Sequence, residues 1–239
     1  MQQRILLITG WGGGTGLLQP VQHSLMQHGI QVDVLNIFNA ADPVQFQQQL
    51  ERAKGYSVLM GWSLGGQLAT LLADALAQSG QAPQALITLA SNPCFVAQAA
   101  WPHAMAPKTF QQFKQGFAED AAATLKRFGY LVCQGSAQSR QDLQKLQSLI
   151  QPQSLTLLKQ GLALLEQLNL VTILKNYPAP QYHLLARVDQ LVPCQVAQDL
   201  QNLAATNLQV EVISGSHGIP LFETDVVTQK IIDYLKQLS

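Results

Sequence analysis

Charge is scarce in this chain. Fourteen Lys and Arg balance fourteen Asp and Glu, charged residues make up 12% of the 239 positions, and the net charge is zero. That removes the electrostatic basis for holding nucleic acid or an anionic membrane surface, and neither is expected as a partner. Cysteine is equally sparse. Cys94, Cys133 and Cys194 are odd in number and widely spaced, with no Cys-x-x-Cys pair, which argues against a disulfide framework and a thiolate metal site. No metal and no cofactor is expected. No apolar run approaches the length of a membrane span. The run Ile5-Leu6-Leu7-Ile8 is broken by Gly10 too early to serve as a leader. The expectation is a reduced, cytoplasmic, soluble monomer. With 47% hydrophobic residues the chain has ample material for a core, and glutamine supplies much of the polar surface.

Short β-type runs alternate with longer helical patterns, the mark of a parallel sheet with helices on both faces. Strands are expected at Ile5–Thr9, Val32–Asn36, Val58–Trp62, Ala85–Ala90, Tyr182–Ala186 and Val210–Ser214. Helices are expected near Leu17–His28, Pro43–Lys54, Ser63–Gln78, Gln195–Leu203 and Thr224–Leu238. The alternation stops between 101 and 175, where only amphipathic helical patterns appear, such as Phe110/Phe113/Phe117 and Leu143/Leu146/Ile150. A helical insertion in a parallel sheet usually lies over the carboxyl ends of the strands, where such sheets bind ligands. The expectation is therefore one α/β domain over 1–239 with about six mostly parallel strands and a helical lid at 101–175. Eight of the basic residues but only four of the acidic ones fall in that insertion, a local excess of four positive charges. A solvated helical face and a cap for an acidic partner both fit that excess.

Gly61-Trp62-Ser63-Leu64-Gly65 stands between the apolar end of a strand pattern and the Leu68/Leu71/Leu72/Leu76 helical pattern. Gly-x-Ser-x-Gly in that context reads as a nucleophile elbow. Its glycines let backbone pass backbone, the serine sits exposed at the apex, and a helix N-terminus lies behind it. An ordinary glycine-rich turn carries the same letters, and it is the strand before and the helix after that favour the elbow. Ser63 is the candidate nucleophile.

A serine nucleophile needs a base and an acid that orients the base, in the chain order Ser, Asp or Glu, His. Of five histidines, His23 and His28 fall on an early helix, His103 opens the insertion and His183 lies inside a strand pattern. His217 follows the last β-run directly, in Ser214-Gly215-Ser216-His217-Gly218, and is the candidate base. Asp189 follows the preceding strand and is the candidate orienting acid. Its competing reading is a turn or helix cap, and Asp199 is a weaker alternative within the next helix. The oxyanion of the transition state needs donors. The backbone N–H groups of Leu64, after the nucleophile, and Trp11, in the glycine-rich loop after the first strand, are the candidates. That loop has the wrong spacing for a dinucleotide fingerprint.

These residues resemble a known family, the pimeloyl-acyl-carrier-protein methyl ester esterases of biotin synthesis, which have the α/β-hydrolase fold. The resemblance rests on Gly61-Trp62-Ser63-Leu64-Gly65-Gly66, on Ala90-Ser91-Asn92-Pro93-Cys94-Phe95 with Trp101-Pro102, and on Arg127-Phe128, Ser139-Arg140-Gln141-Asp142 and Gly161-Leu162. It implies a Ser63–His217–Asp189 triad acting on the distal methyl ester of a seven-carbon diacid carried by an acidic carrier protein. It also implies an acyl channel lined by Phe128, Gly129, Tyr130, Leu131 and Val132. Arg127 and Arg140 match carrier-contacting arginines, with Lys126 and Lys145 close by. The chain departs from the family in beginning at its first parallel strand, in Thr9-Gly10 where His-Gly is usual, and in Asn36-Ile37-Phe38-Asn39-Ala40, which lacks a Pro-Gly-x-Gly turn. Two other functions fit the same residues: a broad short-chain carboxylesterase or thioesterase with this triad, and a non-catalytic α/β-hydrolase module that only binds a partner.

Overall fold

The runs Val58-Leu59-Met60 and Ala85-Leu86-Ile87 are apolar on successive residues, a pattern for strands covered on both faces. In the computed structural model, which describes residues 3–136 and 138–238, they are the centre of a six-stranded sheet. Met1, Gln2, Ala137 and Ser239 lie outside the described residues. The strands are β1 (Arg4–Ile8), β2 (Gln31–Leu35), β3 (Val58–Trp62), β4 (Ala85–Leu89), β5 (Gln181–Ala186) and β6 (Leu208–Ile213). Their order is β2-β1-β3-β4-β5-β6, and every neighbouring pair is parallel. β3, β4 and β5 are buried throughout, whereas the edge strands β2 and β6 keep part of their surface in water.

Helices α1 (Gln19–Gln27), α2 (Pro43–Ala53) and α3 (Leu64–Gln78) connect the first four strands, with a 3-10 turn at Thr15–Leu18 ahead of α1. Local chemistry sets their starts. Asp42 accepts from the N–H groups of Val44 and Gln45, and Pro43 occupies the first position of α2, where its missing N–H costs nothing. Between β4 and β5 the chain builds five helices: α4 (Pro107–Glu119), α5 (Ala121–Cys133), α6 (Ser139–Leu149), α7 (Leu155–Gln167) and α8 (Val171–Asn176). Asp120 and Ser154 cap α5 and α7 through their side chains. Three further helices, α9 (Val196–Asn202), the short α10 (Ile219–Phe222) and α11 (Thr224–Gln237), complete the fold. Among the described residues no helix is long and apolar enough to cross a membrane.

The strand order reverses between β1 and β3, because the chain leaves β1 for β2 on one side and returns to β3 on the other. Connections after the two strands therefore diverge and open a crevice at their carboxyl ends, the usual ligand position in open α/β sheets. The loop after β1 and the turn after β3 meet there. The insertion covers the same place. Phe113 and Phe117 of α4 and Phe128 of α5 pack edge-on against Trp11, with ring centroids 5.6, 5.6 and 4.9 Å away. Spaced aromatics on α4 and α5 thus bury their apolar stripe on the loop that follows β1.

Candidate active site

Ser63 sits between β3 and α3 with φ 56° and ψ −124°. A non-glycine residue in this region carries strain of about 1–3 kcal/mol, held only where the surroundings fix it. Here Ser63 N–H donates to Leu89 O at 2.9 Å, and Ser63 O accepts from Ser91 Oγ at 2.7 Å. The flanking glycines are required by contact. A Cβ on Gly61 would run into the carbonyl oxygen of Gly65, and one on Gly65 into that of Ile8. The turn can be this tight only because the backbones of β1, β3 and α3 touch.

His217 lies in the loop after β6, held by its own backbone: its carbonyl accepts the indole N–H of Trp62 at 2.9 Å. Its Nε2 is 3.0 Å from Ser63 Oγ and its Nδ1 is 2.8 Å from Asp189 Oδ2. The carboxylate can only accept from Nδ1–H, which leaves Nε2 with the lone pair that receives the serine proton. Asp189 Oδ1 meanwhile accepts from the N–H groups of Leu191 and Val192 at 2.7 and 2.9 Å. The two readings of Asp189 are therefore not exclusive, since one carboxylate oxygen caps the turn while the other faces the imidazole. Ser63, Asp189 and His217 are 7, 8 and 0% exposed, so the relay is shielded from water.

The other histidines are placed elsewhere. His23 is on the exposed face of α1 and His28 is exposed at its C-terminal end, and His103 pairs with Asp199 at 2.8 Å near the surface. His183 is buried in β5, bonded to Thr88 Oγ1 at 2.7 Å, and burial pushes its pKa down to about 3. Burial raises the pKa of the Cys94 thiol, and that of Cys133 to about 12. Among the described residues no group of three or more His, Cys, Asp or Glu converges to hold a metal.

The backbone N–H groups of Trp11 and Leu64 have no acceptor among the described residues. Both stand at the crevice beside Ser63, one at the end of each diverging connection. The Trp11 side chain is fixed by donation from its indole N–H to Leu158 O at 2.8 Å. α7 approaches so closely that a Cβ on Gly161 would come within 2.7 Å of that indole and 3.3 Å of the Leu64 side chain.

Of the five residues expected to line one channel, Phe128, Gly129 and Val132 face an apolar cavity of about 190 Å³, with Gly12, Leu17, Leu125 and Leu146 among its other walls. Tyr130 and Leu131 do not. Tyr130 is 48% exposed and Leu131 packs against the core away from that wall. The reason is helical geometry: α5 turns about 100° per residue, so five consecutive positions cannot share a face. Lys126, Arg127 and Arg140 are exposed on α5 and α6. Lys145 Nζ instead donates to Leu221 O at 2.5 Å, which ties α6 to α10.

Comparison with known proteins adds four findings. A family model described as the alpha/beta hydrolase family matches residues 16–229. The pimeloyl-[acyl-carrier protein] methyl ester esterase of Vibrio cholerae is 31% identical, over 97% of this chain and 94% of that protein. The biotin biosynthesis bifunctional protein BioHC of Cellvibrio japonicus is 34% identical over 98% of this chain but 48% of its own length, so the chain spans about half of that bifunctional relative. Among solved structures, an esterase from Exiguobacterium antarcticum superposes with a TM-score of 0.79 over 98% of this chain and 92% of that one. At 19% identity that likeness speaks for the fold alone.

Proposed function

The chain belongs to the alpha/beta hydrolase family and, within it, to the pimeloyl-[acyl-carrier protein] methyl ester esterases; from that premise we propose that it is a serine carboxylesterase that frees methanol from the methyl ester of a carrier-bound pimeloyl group. The observation that carries the chemistry is the buried relay from Ser63 Oγ to His217 Nε2 and from His217 Nδ1 to Asp189.

In this reading Ser63 Oγ attacks the ester carbonyl as His217 Nε2 takes its proton. The negative charge that develops on the carbonyl oxygen is received by the N–H groups of Trp11 and Leu64. The first turn of α3 behind Ser63 favours the same charge. Collapse of the tetrahedral species breaks the bond to the methoxy oxygen, which leaves as methanol with the proton from His217. A water then gives a proton to His217 and attacks the acyl-serine. The carboxylate departs, and the proton returns to Ser63. Asp189 stays ionised, orienting the imidazole and offsetting its transient positive charge.

The cavity beside Gly12 and Phe128 takes part of the acyl chain, and the helical insertion is the lid above it. An acidic carrier docks on that lid at Lys126, Arg127 and Arg140, which gives the local positive excess its purpose. Lys145 contributes charge nearby while held to Leu221. The protein works as a soluble monomer in the cytoplasm, where its buried thiols stay reduced.

The test is direct. Purified protein is incubated with carrier loaded with the methyl-esterified acyl chain, and loss of the methyl group is followed by intact mass. Wild type converts it and Ser63→Ala does not. A wild type that hydrolyses p-nitrophenyl esters but leaves the carrier ester intact overturns the substrate assignment.

A further inference from the structure

The loop after β1 carries Trp11, yet much of what holds it belongs to the insertion. Gln151 N–H donates to Gly13 O at 3.0 Å. The Gln151 side-chain oxygen accepts from Thr15 Oγ1 at 2.9 Å and from Gly16 N–H at 3.2 Å. Two residues on, Gln153 Oε1 accepts from Asn36 Nδ2, and Gln153 Nε2 donates to the carbonyls of Gln151 and Pro152 at 3.0 and 3.1 Å. Asn36 in turn accepts from Thr9 Oγ1 at 2.9 Å, and the same Thr9 oxygen accepts from Ile37 N–H at 3.1 Å. A continuous chain of hydrogen bonds therefore runs from the end of β1, through the end of β2, to the segment between α6 and α7, and back to the loop. Close packing accompanies it: a Cβ on Gly14 would reach Gln153 Nε2 at 2.5 Å, and one on Gly16 would strike Leu149 O.

We propose that Gln151 and Gln153 are positioning residues that hold the Trp11 loop from the insertion, through Thr15, Gly16 and the Thr9–Asn36 pair, and so set where the Trp11 N–H points. The inference rests on the oxyanion role given to Trp11 above. Neither glutamine touches the reacting atoms. Their effect follows from geometry. A loop with glycines at φ 95° and 72° (Gly12 and Gly14) has little stiffness of its own, and a donor displaced by about 1 Å loses much of its hold on the transition state. The ground-state ester carbonyl needs that donor far less, so loosening the loop lowers kcat and leaves KM near its original value. A physical consequence is that the insertion and the oxyanion donor move as one unit.

The experiment compares wild type with Gln151→Ala/Gln153→Ala on a short p-nitrophenyl ester. The expected result is a fall in kcat of about tenfold to a hundredfold, the range for a misplaced donor, with KM within about twofold. The inhibition constant of a boronic acid, which forms a tetrahedral adduct on Ser63, should rise in parallel. Gln151→Glu, which keeps an acceptor for Thr15 and Gly16, should recover most of the rate when combined with native Gln153. If the double variant fails to fold, Thr9→Val against Thr9→Ser makes the same comparison, the first removing the hydroxyl and the second keeping it. An unchanged kcat, a change confined to KM, or equal losses in the conservative and disruptive variants overturns the inference. Turnover that survives Ser63→Ala would instead overturn the esterase mechanism itself, so the two failures are separable.

Discussion

The indole N–H of Trp62 donates to the main-chain carbonyl of His217 over 2.9 Å, joining the residue before the proposed nucleophile to the backbone of the proposed base. The two rings also lie 5.5 Å apart at a tilt of 42°. Both residues are fully buried, so the carbonyl has no water to fall back on. Trp62→Phe keeps most of the apolar contact and strands that carbonyl, at a cost of about 1–3 kcal/mol. The expected outcome is a lower melting temperature, by about 2–4 °C per kcal/mol for a chain of this size, together with a lower kcat. Unchanged values of both would mean that the His217 loop is held by other contacts.

Ser63 separates chemistry from strain. Ser63→Ala and Ser63→Gly should each lose about 10⁶ in kcat, as removal of a triad nucleophile does. They should differ in stability. Alanine at φ 56° stays strained, whereas glycine adopts that conformation freely, so the glycine variant should be the more stable by about 1 kcal/mol. Thermal denaturation of the two variants side by side decides it, and equal melting would place the strain elsewhere.

Asp189 and Asp199 give opposite expectations. Asp189→Asn removes the acceptor that selects the His217 tautomer and should lower kcat by roughly 10⁴. Asp199 faces a half-exposed His103, a pair worth about 0–1 kcal/mol, and Asp199→Asn should leave kcat within about twofold. Steady-state kinetics on a p-nitrophenyl ester reads both, and a reversed ranking would reassign the acid.

His183 predicts an acid limit on stability. Burial depresses its pKa from 6.5 to about 3 in the folded chain. Above pH 6.5 it is neutral in both states and no linkage arises. As pH falls below 6.5 the unfolded chain takes up a proton that the folded chain refuses, so stability declines by about 1.4 kcal/mol per pH unit until the folded value is reached. His183→Gln should remove this component. Urea denaturation at pH 7 and pH 5 checks it: the wild-type difference should shrink in the variant, and an unchanged difference would assign the acid sensitivity to the carboxylates.

Arg127 and Arg140 separate a carrier from a free ester. Arg127→Ala with Arg140→Ala should lower kcat/KM for the carrier-bound ester and spare a short free ester, with the deficit shrinking as salt screens the wild-type attraction. Equal losses on both substrates would make the arginines supports of the insertion.

The sheet was legible because its information is local. The central strands β3 and β4 are near-continuous apolar runs and the edge strands β2 and β6 alternate apolar with polar residues, so the expected bounds of all six lie within two residues of the observed ones. Ser63 was legible because Gly61 and Gly65 stand beside it in sequence, and Asp189 and His217 because each follows a strand directly. What local sequence does not carry is long-range pairing. α10 is four residues long and gives no periodic signal. Gln151 reaches Gly16 across 135 residues, and Thr9 and Asn36, two departures from the family pattern, bond to each other and to the insertion. Tyr130 lies off the wall formed by Phe128, Gly129 and Val132 because α5 turns about 100° per residue.

Ser63 and His217 meet across 154 residues of chain. A protein made from its amino end completes the elbow and the whole insertion before His217 exists. The residues that then follow supply α11, which packs against α1 at the opposite end of the sequence. The relay is therefore withheld from every nascent chain that has not yet reached His217, however much of the sheet and insertion has already emerged.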